Sequence, residues 1–293
     1  MLRFLIPSFM GKTTEVQTLR RKLHELQLDW IFSYNLDSKV YISVRDYKRS
    51  WYRDDKRIVY IKPDLPPGHV YAKNGLLSDF YESDDEWAVM LDNDTRLGNM
   101  HMGGRRVFNN MVSHPELWKP VDMWMAIDPM KEPFRFRWRK DPEIYSRYYH
   151  LKRIMLSTRG CMFVIRNPKT SMHKIKPVFF NDEVTSHIPD DYEFIVTSII
   201  AGWASYNCTN CVIQTTNDTK KFTTLSYIFA GDTRNLYARD AKIALCKKLE
   251  GSGLSFKINE QTGRVRFETK RYWNKNWNHP KELIIDKRKE RIE

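Results

Sequence analysis

Short apolar runs separated by stretches of helical period dominate the first third of this chain. Residues 2–6, apolar apart from Arg3, are strand-like, and Pro7-Ser8 stops them. Thr13 or Thr14 can cap a helix in which Val16, Leu19, Leu23 and Leu26 recur at helical spacing. After an apolar segment at 30–34, residues 39–44 read as a second strand with Arg45 and Asp46 at its end. Residues 57–62 read as a third. A turn at 64–68 and a helix from Asn74 to about Tyr81, carrying Leu76, Leu77 and Phe80, lead into Ala88-Val-Met-Leu91. That run reads as a buried strand, bounded by Asp84-Asp85-Glu86 on one side and Asp92 on the other. Alternating strands and helices predict an α/β protein with a mainly parallel central sheet and ligand groups on the loops after the strands.

Beyond Gly98 the pattern changes. Gly103-Gly104-Arg105-Arg106 reads as a flexible basic loop. Phe134-Arg-Phe-Arg-Trp-Arg139 alternates strictly, so a strand there would carry Phe134, Phe136 and Trp138 on one face and Arg135, Arg137 and Arg139 on the other. That basic face is either simply solvated or a surface that tracks phosphates, joined by Lys140, Arg147, Lys152 and Arg153. Residues 160–165 form another apolar strand. Pro189 with Asp190-Asp191 starts a helix that Gly202 ends, and strands near 212 and 225–229 and a helix at 235–249 follow.

Composition narrows the possible partners. The 293-residue chain has a formal charge of +13, which attracts polyanions. Residues 133–160 hold eight Lys and Arg against two acids, and residues 264–293 hold ten against five. No apolar run approaches the ~18 residues of a membrane span, and the opening segment is too short for a signal peptide. Four unevenly spaced cysteines predict reduced thiols and a cytoplasmic location. Cys208-Thr-Asn-Cys211 has ligand spacing, but a zinc site would need Cys161 and Cys246 as well.

Two acidic motifs carry candidate chemistry. Asp92-Asn93-Asp94 places two carboxylates just past a buried strand, where open α/β sheets keep their ligands. Such a pair suits Mg2+ or Mn2+, which take one or two protein carboxylates and leave the other positions to phosphate and water. It also suits a plain polar turn. Asp190 and Asp191 are good helix caps, and equally good acids for proton transfer.

Four features in order resemble the GT-A glycosyltransferases over roughly residues 1–205. They are the strand ending Ile6-Pro7-Ser8 with a helix bearing Thr18-Leu19, and the strand ending near Arg45 followed by Gly68 and Lys73-Asn74. The third is Leu91-Asp92-Asn93-Asp94, similar to the family's metal-binding DxD, and the fourth is Asp190-Asp191-Tyr-Glu-Phe with Ala201-Gly202 behind it. The resemblance implies a GT-A fold, with residues 1–97 as a nucleotide-sugar half and residues 98–293 as an acceptor half of one continuous domain. It also implies a UDP-sugar donor and a Mn2+ or Mg2+ ion on Asp92 and Asp94. Pro7, Ser8, Lys12, Arg45, Lys73, Asn74 and Asn93 would bind the nucleotide sugar. Asp191, or Asp190, would be the general base of an inverting enzyme, and in a retaining one the same acid would only orient substrates. Many relatives add a late histidine to the metal, and the only one here after His187 is His279. Either it folds back, or the metal relies on Asp92, Asp94 and phosphate.

The small basic chain further resembles phage enzymes that transfer glucose or arabinose to 5-hydroxymethylcytosine in DNA. On that reading Arg105, Arg106, Arg135, Arg137, Arg139 and Lys140 hold DNA phosphates. Tyr148, Tyr149, Trp273 or Trp277 stack or wedge, the target base is flipped into the pocket or the duplex distorted, and a phage-encoded enzyme would act in the host cytoplasm. A glycosyltransferase acting on a surface glycan or lipid carrier, and a non-catalytic nucleic-acid-binding protein, are the two alternatives.

Overall fold

The computed structural model describes residues 2–8, 14–33, 38–44, 51–62, 69–92, 95–96, 104–127, 147–154, 162–180, 190–212, 214–215, 243, 247, 251–252, 256–259, 264–267 and 277–287. The first third alternates as its sequence pattern predicts. Strand β1 (Leu2–Pro7) leads to α1 (Thr14–Phe32), β2 (Lys39–Ser43), β3 (Ile58–Ile61), α2 (His69–Glu82) and β4 (Trp87–Leu91). Short β5 (Thr95–Arg96), α3 (Gly104–Ser113), α4 (Pro115–Trp118) and β6 (Met123–Ile127) follow. Next come β7 (Tyr148–Arg153), β8 (Met162–Arg166), α5 (Asp190–Ile200), β9 (Ser205–Val212), β10 (Gln214–Thr215), β11 (Phe256–Asn259), β12 (Arg264–Phe267) and β13 (Glu282–Asp286).

Among the described residues nine strands form one sheet in the order β13-β7-β9-β6-β8-β4-β1-β2-β3. Strands β3, β2, β1 and β4 are mutually parallel. Strand β8 inserts antiparallel between β4 and β6, and β7 runs antiparallel to both β9 and β13. The expected mainly parallel sheet is therefore parallel in its first half and mixed in its second.

Both faces of this sheet are covered, which is why its central strands are continuous apolar runs rather than alternating ones. Phe4, Ile6, Val89, Leu91, Trp124 and Val164 point to one face, where Leu28 and Ile31 of α1, Phe108 of α3 and Trp118 of α4 pack on them. Leu5, Ala88, Met90, Met125 and Phe163 point to the other, under Leu76, Leu77 and Phe80 of α2 and Phe194 of α5. The result is a three-layer α/β/α stack.

Several boundaries differ from the sequence pattern. Helix α1 runs on into the apolar 30–34 segment and ends at Phe32, and α2 begins at His69, five residues before Asn74. Arg105 and Arg106 lie in the first turn of α3 rather than in a loop, because Gly104 already opens the helix. Helix α5 spans Asp190–Ile200, and Gly202 adopts φ +87 just beyond it, the left-handed stop that glycine tolerates. The alternating 134–139 segment, the 225–229 strand and all but residues 243 and 247 of the 235–249 helix lie outside the described residues.

Candidate functional site

The order of the parallel strands decides where a site forms. From β1 the chain crosses to β2 on one side, then returns from β3 through α2 to β4 on the other. That reversal opens a crevice at the C-terminal ends of β1 and β4, where doubly wound sheets bind ligands. Pro7 ends β1, and the Ser8 N–H donates to the Ser43 carbonyl at 3.2 Å, tying the loop after β1 to the end of β2. Asp92 follows β4 two positions beyond the Leu5–Met90 pair, level with Pro7. Its backbone carbonyl accepts from Gln27 Nε2 of α1 at 3.0 Å, which fixes the strand end against the helix.

Helix α2 brings the cation. Val70, Lys73, Leu76, Leu77 and Phe80 recur at three- and four-residue spacing on its buried face. A lysine thus occupies a place in an apolar stripe and is 1% exposed. Lysine is almost never so deeply buried without partners. Its Nζ donates to Asp191 Oδ1 at 2.9 Å, lies 3.8 Å from Asp92 Oδ1, and sits 4.7 Å from the Phe180 ring centroid. Asn74, the next residue, clamps the Phe180 backbone: its Nδ2 donates to the Phe180 carbonyl and its Oδ1 accepts the Phe180 N–H, both at 2.8 Å. Tyr81 O–H donates to the Val178 carbonyl at 2.9 Å, and burial pushes its phenol well above the usual range. Helix α2 therefore carries the cation and also fixes the aromatic wall beneath it.

Asp191 arrives from the first turn of α5, where the helix N-terminus favours a carboxylate. It and Asp92 are 28% and 29% exposed, so both acids that flank the buried ammonium are open to solvent. The ammonium offsets the negative charge these two acids present to each other and to any anionic ligand entering the crevice. His69, at the start of α2, places Nε2 3.7 Å from Asp92 Oδ1.

The structure thus brings together four of the residues singled out from sequence: Asp92, Lys73, Asp191 and, at the level of Asp92, Pro7. Asn74 stands beside them with its amide engaged by Phe180. Residues Lys12, Arg45, Asn93, Asp94, Arg135, Arg137, Arg139 and Lys140 lie outside the described residues, and the side chains of Asp190, Arg105 and Arg106 are likewise not described. His69, Gln27 and Phe180 were missed. His69 shows no sequence signal beyond its place at a helix start, and Phe180 none at all. The lysine within the α2 stripe was the one available clue to the link with Asp191.

Other expectations meet competing contacts. His279 hydrogen-bonds through Nε2 to the Gly202 carbonyl at 2.9 Å, at the N-terminal edge of the sheet, so the whole of β4 separates it from Asp92. It does not fold back to the DxD. Tyr149 is 1% exposed within the core and packs on Trp118, which removes it from base stacking. Trp277 packs on both core clusters and donates through Nε1 to the Pro280 carbonyl at 3.3 Å. Lys152 is paired with Glu282 across β7 and β13 at 3.0 Å. Cys208 and Cys211 are both buried, and the hydrogen bond between them together with burial pushes the Cys211 thiol well up, which disfavours the thiolate that zinc needs. Among the described residues no three His, Cys, Asp or Glu side chains gather around a metal position, and no helix is long and apolar enough to cross a membrane.

Comparison with solved structures agrees with this architecture. S. aureus TarS (residues 1–349) in complex with UDP-GlcNAc matches with a TM-score of 0.53 at 9% identity, over 87% of this chain and 68% of that one. S. aureus TarS matches with a TM-score of 0.52 at 10% identity, over 87% of this chain and 40% of that one. Glucosyl-3-phosphoglycerate synthase from Mycobacterium tuberculosis, bound to Mn2+, UDP-glucose and glycerol 3-phosphate, gives 0.44 at 11% identity over 90% and 85%. No family model and no curated protein sequence matches the chain. The chain is a mixed α/β protein with the GT-A fold.

Proposed function

We propose that this protein is a metal-dependent glycosyltransferase that takes its sugar from a UDP-sugar. The observation that carries the reading is Lys73. It is a buried ammonium at the crevice of a GT-A sheet, and it joins Asp92 at the end of β4 to Asp191 at the start of α5, which lies 118 residues from the lysine itself. The UDP-GlcNAc complex of S. aureus TarS, which shares the fold, supports a UDP-sugar as the donor class.

Residues 1–97 serve as the nucleotide-sugar half and residues 98–293 as the acceptor half. Pro7, Ser8, Lys12, Arg45, Asn74 and Asn93 border the donor, and Lys73 offsets the charge of its diphosphate. Asp92 offers a hard oxygen at a solvent-open edge, the donor type that Mg2+ or Mn2+ uses one or two of, and Asp94 is the expected second. When bound, such an ion supplies Lewis-acid stabilisation of the leaving diphosphate. Asp191 takes the proton from the acceptor hydroxyl, held in place by its ion pair with Lys73. Asp190 is the second candidate for that role.

For the acceptor, we propose the hydroxymethyl group of 5-hydroxymethylcytosine in phage DNA, with arabinose or glucose transferred. The net charge of +13 and the sequence resemblance support it. Arg105, Arg106, Arg135, Arg137, Arg139 and Lys140 are the phosphate contacts on this reading.

The test is UDP release with Mn2+ from a panel of UDP-sugars, using DNA that contains either cytosine or 5-hydroxymethylcytosine. Release that needs the hydroxymethyl group and is lost in Asp94→Ala is the expected result. Release indifferent to DNA would keep the transferase and move the acceptor to a glycan or lipid carrier. Silence with every sugar would leave a non-catalytic nucleic-acid-binding protein.

A further inference from the structure

A second constellation lies at the opposite edge of the sheet, away from the donor crevice. Asp122, just before β6, is 0% exposed, yet both carboxylate oxygens are filled. Its Oδ1 accepts from Ser171 Oγ at 2.6 Å, and its Oδ2 accepts from the Ala204 N–H at 2.9 Å and from His173 Nδ1 at 2.7 Å. The His173 ring is 20% exposed and meets the ring of His279, with centroids 4.5 Å apart and planes at 64°. His279 in turn donates through Nε2 to the Gly202 carbonyl at 2.9 Å, and Trp277 walls its other side at 5.4 Å.

Carboxylates and carbonyls only accept, so these partners fix both imidazole tautomers. His173 carries its proton on Nδ1 and His279 on Nε2. The lone pairs of the neutral rings are then on His173 Nε2 and His279 Nδ1. A ring whose distal N–H is held by a carboxylate or a backbone carbonyl is the arrangement that orients metal-ligating histidines. With metal–nitrogen bonds of about 2.1 Å, two imidazoles bound cis to one ion hold their centroids roughly 4.5–5.5 Å apart. The observed spacing falls in that range.

We propose that His173 and His279 form a two-imidazole site for a borderline transition-metal cation of the zinc, copper or nickel class. Nitrogen ligands suit those ions, and they set this site apart from the hard-ion site at Asp92. Among the described residues no third protein ligand joins them, so water completes the coordination. Bound there, the ion staples three segments: the stretch after β8 that carries His173, the turn after α5 at Gly202, and the stretch before β13 that carries His279. None of this depends on the transferase reading.

The experiment uses the untagged full chain titrated with Cu2+, read by pulsed electron paramagnetic resonance, with Zn2+ as competitor. One equivalent showing two coordinated imidazoles, displaced by Zn2+, is expected. His279→Gln and His173→Gln should each leave at most one imidazole and weaken binding at least tenfold. Since His173→Gln also disturbs buried Asp122, His279→Gln is the deciding variant, with a Zn2+-induced rise in melting temperature as a second readout that it should abolish. A wild-type spectrum with one imidazole or none, or His279→Gln binding as wild type does, would overturn the proposal and leave the two rings as a packing contact.

Discussion

Two buried cations occupy opposite edges of the same sheet, and their surroundings differ. Arg166, at the end of β8, is 1% exposed, as is Lys73. Its Nε donates to the Val121 carbonyl at 2.9 Å, its Nη2 to the Trp118 carbonyl at 2.8 Å, and its Nη1 pairs with Glu86. The guanidinium also lies 4.1 Å from the Trp87 ring centroid. Burial pulls its pKa down, and Glu86 and Asp122 oppose that shift. Each of its partners ties one element to another, so Arg166 is scaffold. Lys73 faces two carboxylates open to solvent and an aromatic wall that is itself clamped in place. Glu86 is as open to solvent as Asp92 and Asp191, so the difference lies in the carbonyls and in position: Arg166 spends two donors on backbone carbonyls of the scaffold, whereas Lys73 faces two carboxylates at the sheet edge where ligands bind.

The comparison breaks most sharply under paired substitutions. Asp191→Asn should lower transfer by about 10²–10⁴ while lowering stability less than the arginine change below, because Asp92 still faces the buried ammonium and the amide oxygen still accepts a hydrogen bond. Activity assays beside thermal melts check this, and a retained rate would place the base elsewhere. Arg166→Met should do the reverse. Two buried carbonyls and Glu86 lose their donor, which costs about 3–5 kcal/mol of stability in urea unfolding. A loss below about 1 kcal/mol would show that the arginine is not the scaffold described here.

A third buried group sharpens the scaffold side. His24, on the buried face of α1, has its pKa lowered from 6.5 to about 4 by burial and by Arg53. Its folded value is depressed, so the stability it contributes is complete above pH 6.5 and is lost as pH falls toward 4. The full span is worth about 3 kcal/mol. Unfolding of wild type and His24→Leu at pH 7, 5.5 and 4 should show a flatter acid limb in the variant; parallel curves would remove His24 from the account.

Much of the parallel half of the sheet was legible in the sequence because its signals are local. The continuous apolar run before Asp92 marks a strand covered on both faces, and Pro189 with Gly202 brackets α5. The start of α2 was obscured because Lys73 interrupts the apolar period between Val70 and Leu77, and that residue turned out to link the two acidic motifs. The second half of the sheet was not legible. Placing β8 between β4 and β6, or β13 beside β7, depends on pairing between segments far apart in sequence, and local periodicity carries no record of that. The contact of His173 with His279 is of the same long-range kind.

The most direct test of the central claim is calorimetric binding of UDP, with and without Mn2+, to wild type and to Asp92→Asn. UDP should bind wild type when Mn2+ is present, and at least tenfold more weakly when the metal is withheld or the Asp92→Asn variant is used. UDP that binds equally well in all three cases, or does not bind at all, would contradict that claim.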